Sequence, residues 1–361
     1  MIFGRALRKS TFPTSLWRPF GWALFVVVAT AVMGCSSMTD ERPDDDEWVQ
    51  AYLEAMRLDS EAADRELARL AETAPTEEQA RDMQFERARL ALQRDDIELA
   101  RQRFEQLWDD DPDDAVGSRS LYELARMAYE QDDDPQRARQ LATQAILETP
   151  PWAGAELALK FYLLDARRSE RFDEAAAELA AMAEQSDDDR MASQLHLERG
   201  LILDERLDRP DDALQSYRAA HRRCDDCAAT DEALFQMGQI YARHLQWDSA
   251  ARAYQQVAGR TAPSVGVGTY HSQRAADARY ELALLELLFR DDHEAAIRNF
   301  RQLQRDFPDH RLSEDVAWHL VEIERLHGTE RSYRRALQSF IDDYPRSRRA
   351  ATAQQRLGEA T

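Results

Sequence analysis

Lysine is almost missing from this chain. Only Lys9 and Lys160 occur in 361 residues, so arginine supplies the cations, and the formal net charge is −21. A surface of that sign repels nucleic-acid backbones and anionic bilayers, which excludes both as partners. Glycine is scarce, at twelve residues, and runs of β-branched residues are absent. Three cysteines are too few for a disulfide scaffold. The eight histidines, at 196, 221, 244, 271, 293, 310, 319 and 327, form no HExxH and no other metal-ligand spacing. No Gly-x-Ser-x-Gly and no phosphate loop occurs, and Gly266-Val267-Gly268 follows no strand pattern. The sequence therefore predicts neither an enzyme nor a cofactor.

The longest apolar run, Phe20 to Gly34, is also short. As a helix it would reach ~22 Å, against a hydrocarbon core of ~30 Å. Arg5, Arg8, Lys9 and Arg18 precede it, and no acidic residue comes before Asp40. A basic start, a short apolar run and a small residue before a cut describe a secretory signal. The residues at the cut, Val32-Met33-Gly34-Cys35-Ser36, resemble the bacterial lipobox. That resemblance implies a signal peptide over 1–34 and lipidation of Cys35. Ser36 rather than Asp after the cysteine implies the outer membrane of a Gram-negative cell. Membrane contact through the acyl chains alone is then enough, since two or three chains hold almost permanently. Residues 35–46 carry no apolar periodicity and read as a tether. Without the four cations of 1–34, the charge of −21 becomes about −25.

The remaining chain is rich in Ala, Leu, Arg, Glu and Gln, a helix-forming composition. Aspartate runs such as Asp132-Asp133-Asp134 and Asp187-Asp188-Asp189 read as turns and helix caps, where carboxylates meet free N–H groups. Asp109-x-Asp111-x-Asp113 fails as a calcium loop, because Pro112 interrupts it and Asp114 and Ser120 replace the turn glycine and the bidentate glutamate.

Self-similarity organises the rest. The triplet Ala63-x3-Leu67-x2-Leu70 returns at Ala100, Ala138, Ala175, Ala213, Ala250, Ala296 and Tyr333. The steps are 37, 38, 37, 38, 37, 46 and 37 residues. Five of the triplets are followed five residues later by Pro75, Pro112, Pro150, Pro308 or Pro345. About twelve residues before the triplets stand small residues: Ala51, Ala88, Ala125, Gly200, Gly238 and Ala283. Leu234-x2-Met237-Gly238-x2-Tyr241-x8-Ala250-x3-Tyr254 shows the unit best. This resembles the tetratricopeptide repeat, a helix–turn–helix unit of 34 residues. The resemblance implies an all-α, right-handed helical-hairpin solenoid of about eight units over 44–345. A C-terminal capping helix follows over 346–361. The 46-residue step predicts one flexible surface loop, Gly259 to Ser272. "SFIDDYPRSRRAATAQQRLGEA" and "FPDHRLSEDVAWHL" resemble segments of BamD-type and CpoB-type periplasmic repeat proteins.

What the resemblance implies is a periplasmic, lipid-anchored scaffold that binds protein partners. One alternative is a BamD-like or CpoB-like factor in outer-membrane protein assembly or envelope constriction. An accessory to a peptidoglycan-acting enzyme is the alternative of another class. Two features could carry chemistry or recognition. Cys224-Asp225-Asp226-Cys227 reads as a local disulfide in a turn; with His221 it lacks a fourth metal ligand. Three residues before the small position runs a column, Trp48, Phe85, Tyr122, Lys160, Leu197, Phe235, Tyr280 and Trp318. Its six aromatic members either pack between repeats or border a recognition strip for a basic or extended polypeptide.

Overall fold

The computed structural model describes residues 45–149, 153–264, 268–271 and 274–359. The signal segment, Cys35 and the tether up to residue 44 lie outside the described residues. Among the described residues, seventeen helices follow one another. They are α1 (Asp45–Ala55), α2 (Ser60–Glu72), α3 (Glu77–Gln93), α4 (Ile97–Asp110), α5 (Ala115–Glu130) and α6 (Pro135–Glu148). Next come α7 (Ala153–Arg168), α8 (Phe172–Gln185), α9 (Asp189–Glu205), α10 (Pro210–Arg223), α11 (Ala228–Arg243) and α12 (Trp247–Ala258). The last are α13 (Ala275–Phe289), α14 (His293–Asp306), α15 (Ser313–His327), α16 (Glu330–Asp343) and α17 (Arg348–Glu359). They form eight hairpins and a terminal helix, in the register that the triplets set. α1 begins at Asp45, two residues before the end of the stretch read as tether.

The carboxylates of the turns start the helices. Asp59, Asp114, Asp134, Asp188 and Asp292 each accept a hydrogen bond from a backbone N–H of the following helix. Asp111, the centre of the rejected calcium pattern, ends α4 and accepts from the Asp113 N–H at 3.1 Å. Between the two helices of six hairpins stands one residue with a left-handed backbone: Asp95, Asp133, Glu170, Asp208, Leu245 and Asp291.

The core is a seam between first and second helices. The central triplet residues Leu67, Phe104, Ala142, Leu179, Tyr217, Tyr254, Phe300 and Leu337 are all buried, and so are the alanines that lead the first seven triplets. The small residues opposite them let the helices approach closely. Each hairpin also packs on the next, so the solenoid gains its core from neighbours. The first helices of successive units touch one another, as α5 does α7 and α9 does α11, while the second helices meet much less. The first helices form a layer in direct contact from α3 through α5 to α7 and from α9 to α11.

The long insertion differs from the expected loop. It holds a two-stranded antiparallel hairpin, β1 (Thr261–Ser264) and β2 (Gly268–His271), with Thr261 opposite His271 and Ser264 opposite Gly268. A four-residue strand is too short to show a period-2 pattern in sequence, which is why composition favoured a loop. None of the described helices is long and apolar enough to cross a membrane.

Candidate binding face

The layer of first helices carries the aromatic column, and most of its rings are packed on both sides. Phe85 meets Phe104 edge-on at 5.4 Å, and the Arg119 guanidinium lies 4.6 Å from its centre. Phe235 meets Tyr254 at 5.7 Å under Arg274 at 5.0 Å. Trp318 meets Phe340 at 5.1 Å under Arg356 at 5.3 Å and Arg349 at 5.8 Å. In each case the second helix of the same unit supplies the ring, and the next unit supplies the arginine. Phe85 and Phe235 are buried, and Trp318 is half-buried. Tyr280 faces Phe300 at 6.0 Å, and its hydroxyl lies 3.1 Å from His319 Nε2. Burial pushes that phenol up to about 12. Tyr122 is half-buried, and burial raises its phenol too. Trp48 is half-buried on α1, while Lys160 is exposed and ion-paired with Glu156 at 3.9 Å.

The arginines do more than cover rings. An acid near the start of one first helix binds an arginine at or before the start of the next. Asp82 pairs with Arg119, Glu232 with Arg274 (3.0 Å), Asp277 with Arg311 (2.6 Å) and Asp315 with Arg349 (2.6 Å). This ladder staples neighbouring units. Guanidinium suits it, because its planar fork binds a carboxylate and stacks on a ring at once. The ladder also fixes the feet of the β hairpin. Arg260 reaches Asp225 (2.8 Å) and Asp231 (3.1 Å), and Arg274 reaches Glu232 and Asp277 (3.2 Å). Sequence reasoning missed these pairs. Their signal is an acid and an arginine 34 to 42 residues apart, visible only once the repeat frame is drawn.

One residue after the aromatic column runs a second row, Glu86, Glu123, Glu198 and Glu281. Glu86 and Glu123 pair with Arg89 (3.0 Å) and Arg126 (2.9 Å) on their own helices. At the equivalent places after Glu198 and Glu281 stand Leu201 and Leu284. Glu198 accepts instead from Gln194 Nε2 at 2.8 Å. Burial raises both carboxyls above the ordinary glutamate range; Glu232 adds to the rise at Glu198, and Asp277 adds to it at Glu281. The inner layer thus changes from ion-paired in the early units to acid without an adjacent guanidinium at α9 and α13.

Cys224 and Cys227 are joined as a disulfide between α10 and α11. With Asp226 their donor atoms form the one group of three candidate metal ligands among the described residues. His221 points its Nδ1 at Asp225 instead, at 3.2 Å.

One comparison with known proteins agrees with this architecture. A family model described as tetratricopeptide repeat matches residues 232–260 and 277–310, which are α11–α12 and α13–α14. Among curated proteins none matches in sequence. PilF of Pseudomonas aeruginosa is 18% identical, with a TM-score of 0.36, over 64% of this chain and 94% of its own. Human IFIT1, solved as a dimer with PPP-AAAA, is 13% identical, with a TM-score of 0.44, over 83% of this chain and 68% of its own. BtubC from P. vanneervenii is 16% identical, with a TM-score of 0.32, over 72% of this chain and 90% of its own. Likenesses at these scores carry nothing about ligands or partners. Repeat spacing, helix pairing and the family match meet in one statement: the described helices form a tetratricopeptide-type solenoid.

Proposed function

We propose that this chain is a lipid-anchored scaffold that holds a protein partner on the periplasmic face of the outer membrane. The observation that carries the reading is the inner layer at α9–α13. There the half-buried Glu198 and Glu281 have no ion pair among the described residues, while acids elsewhere on the layer are bound to arginine. A basic or extended segment lying along the first helices would supply the missing cations. The lipobox-like Val32 to Ser36 supports the anchor, and the two C-terminal segments support a BamD-type or CpoB-type role in the envelope.

The test is crosslinking in intact cells followed by purification of the tagged chain. Wild type is compared with Glu198→Gln/Glu281→Gln and with Cys35→Ser. The scaffold reading expects a defined partner set that the double variant loses and that salt weakens. Cys35→Ser should lose metabolic labelling by an alkyne fatty acid and leave the membrane fraction. Equal labelling of Cys35→Ser would overturn the anchor, and an unchanged partner set in the double variant would overturn the binding face.

A further inference from the structure

The turns between the two helices of each hairpin lie at one edge of the units, and three consecutive ones break the pattern of the rest. Five of the six left-handed turn positions hold Asp or Glu; the sixth holds Leu245, with φ 59°. A bulky residue is disfavoured in that conformation, whereas aspartate tolerates it. Leu245 is nevertheless 68% exposed, so this turn bears both backbone strain and a solvated apolar side chain. In the next two units the last residue but one of the first helix is Leu288 (55% exposed) or Leu326 (62% exposed). The equivalent residues of the second to sixth units are Gln93, Glu130, Arg168, Glu205 and Arg243, and that of the first is Met56, only 38% exposed. Phe289, also exposed, likewise stands where Arg94, Gln131, Ser169, Arg206 and His244 stand elsewhere.

These side chains belong to one strip. Trp247 stacks on Phe289 with ring centres 3.9 Å apart, and Asp248 meets Arg290 at 3.6 Å, so the α11–α12 and α13–α14 turns adjoin. His293 meets His327 at 3.6 Å between ring centres, so the α13–α14 and α15–α16 turns adjoin. Carboxylates and cations together rim the strip: Asp248, Asp291 and Glu294 are all largely exposed, and they face Arg290, His293 and Arg298.

From this edge we infer that Leu245, Leu288, Phe289 and Leu326 form a second docking surface, for a polypeptide whose apolar side chains are flanked by Lys or Arg. Contiguous exposed apolar residues with a polar rim mark such surfaces. Charge sets the occupant. A chain of net charge −21 repels anionic lipid and a second copy of itself, and it attracts a basic segment. The surface is separate from the glutamates of the inner layer.

The probe is a fluorescent 18-residue amphipathic peptide of Leu and Lys, with a Leu/Glu twin as control, measured by anisotropy. The chain carries Leu245→Asp, Leu288→Glu and Leu326→Glu together, or Leu164→Glu, at an exposed leucine of α7 outside the strip, as the control. The three substitutions add negative charge, so simple charge attraction would tighten the Leu/Lys peptide. The proposal expects at least tenfold weaker binding instead, near-wild-type binding by the Leu164→Glu control and no binding of the twin. Leu245→Asp alone should not lower the melting temperature, because it restores the residue type of the other turns. Equal or tighter binding by the triple variant overturns the proposal. So does preferential binding of wild type to phosphatidylcholine vesicles, or a dimer in sedimentation that Leu245→Asp abolishes.

Discussion

The ring of Tyr254 lies across Gly238, where any Cβ would press on its Cδ1, Cε1 and Cζ, and Tyr217 lies in the same way across Gly200. In the second and seventh units the small residue is Ala88 or Ala283, and the ring at the equivalent place is Phe104 or Phe300. Small residue and ring are therefore matched in these four units. Gly238→Ala should destabilise by about 1–3 kcal/mol through overpacking, more than the ~1 kcal/mol its helix propensity returns. Adding Tyr254→Phe recreates the alanine–phenylalanine pair of the second and seventh units and should recover most of the loss. Urea denaturation of the single and double variants measures this. A double variant as unstable as the sum of its parts would show that the matching is not the cause.

Phe235 is buried between Tyr254 and Arg274, so Phe235→Ala is expected to cost ~3–5 kcal/mol and to lower the melting temperature. Tyr280 is only half-buried, and its hydroxyl sits beside His319; Tyr280→Phe should cost far less, roughly 0.5–1.5 kcal/mol. If Phe235→Ala melts like wild type and loses a bound partner, the ring serves recognition rather than packing.

Acid should reveal Glu281. Burial, with Asp277 adding to it, raises this carboxyl, so the folded chain holds its proton more tightly than the unfolded chain does. That contribution to stability is complete below the unfolded value of ~4.3 and is lost as pH rises through the raised value. Glu281→Gln removes the titration. The variant should melt above wild type near neutral pH, and the gap should close as pH falls. A gap independent of pH would assign the effect to packing instead.

Salt should stabilise. A net charge of −21 repels itself at low ionic strength, where screening lengths approach ~30 Å. The arginine ladder is mostly half-buried and resists screening more than exposed pairs do. The melting temperature is expected to rise with sodium chloride up to the molar range. A falling curve would mean that the ion pairs outweigh the general repulsion.

The spacing of Ala63, Ala100 and their successors set the register of the helices before any coordinates, because apolar periodicity is a local signal that repeats. The same period marked where the insertion falls, but not that it pairs as two strands. The arginine ladder escaped notice for a different reason. Asp277 and Arg311 are remote in sequence, and an exposed-looking charge says nothing by itself about its partner. Leu245 carries no signal of its own in the sequence. Only the left-handed backbone at five equivalent acidic positions makes it an exception.

The buried clusters are uneven along the chain. One runs unbroken from Phe85 on α3 to Leu285 on α13, while a small one joins Ala283, Phe300 and Ile323, and another joins Val321, Leu337 and Ala353. Under a stretching force applied at both ends, such a stack yields first where the fewest side chains are shared. Arg349 and Arg356 then act as latches on the final helix, each holding a carboxylate of α15. Tension transmitted through a bound partner would peel α17 and its neighbours away while the central units stayed intact, making the C-terminal end a mechanical fuse for the rest.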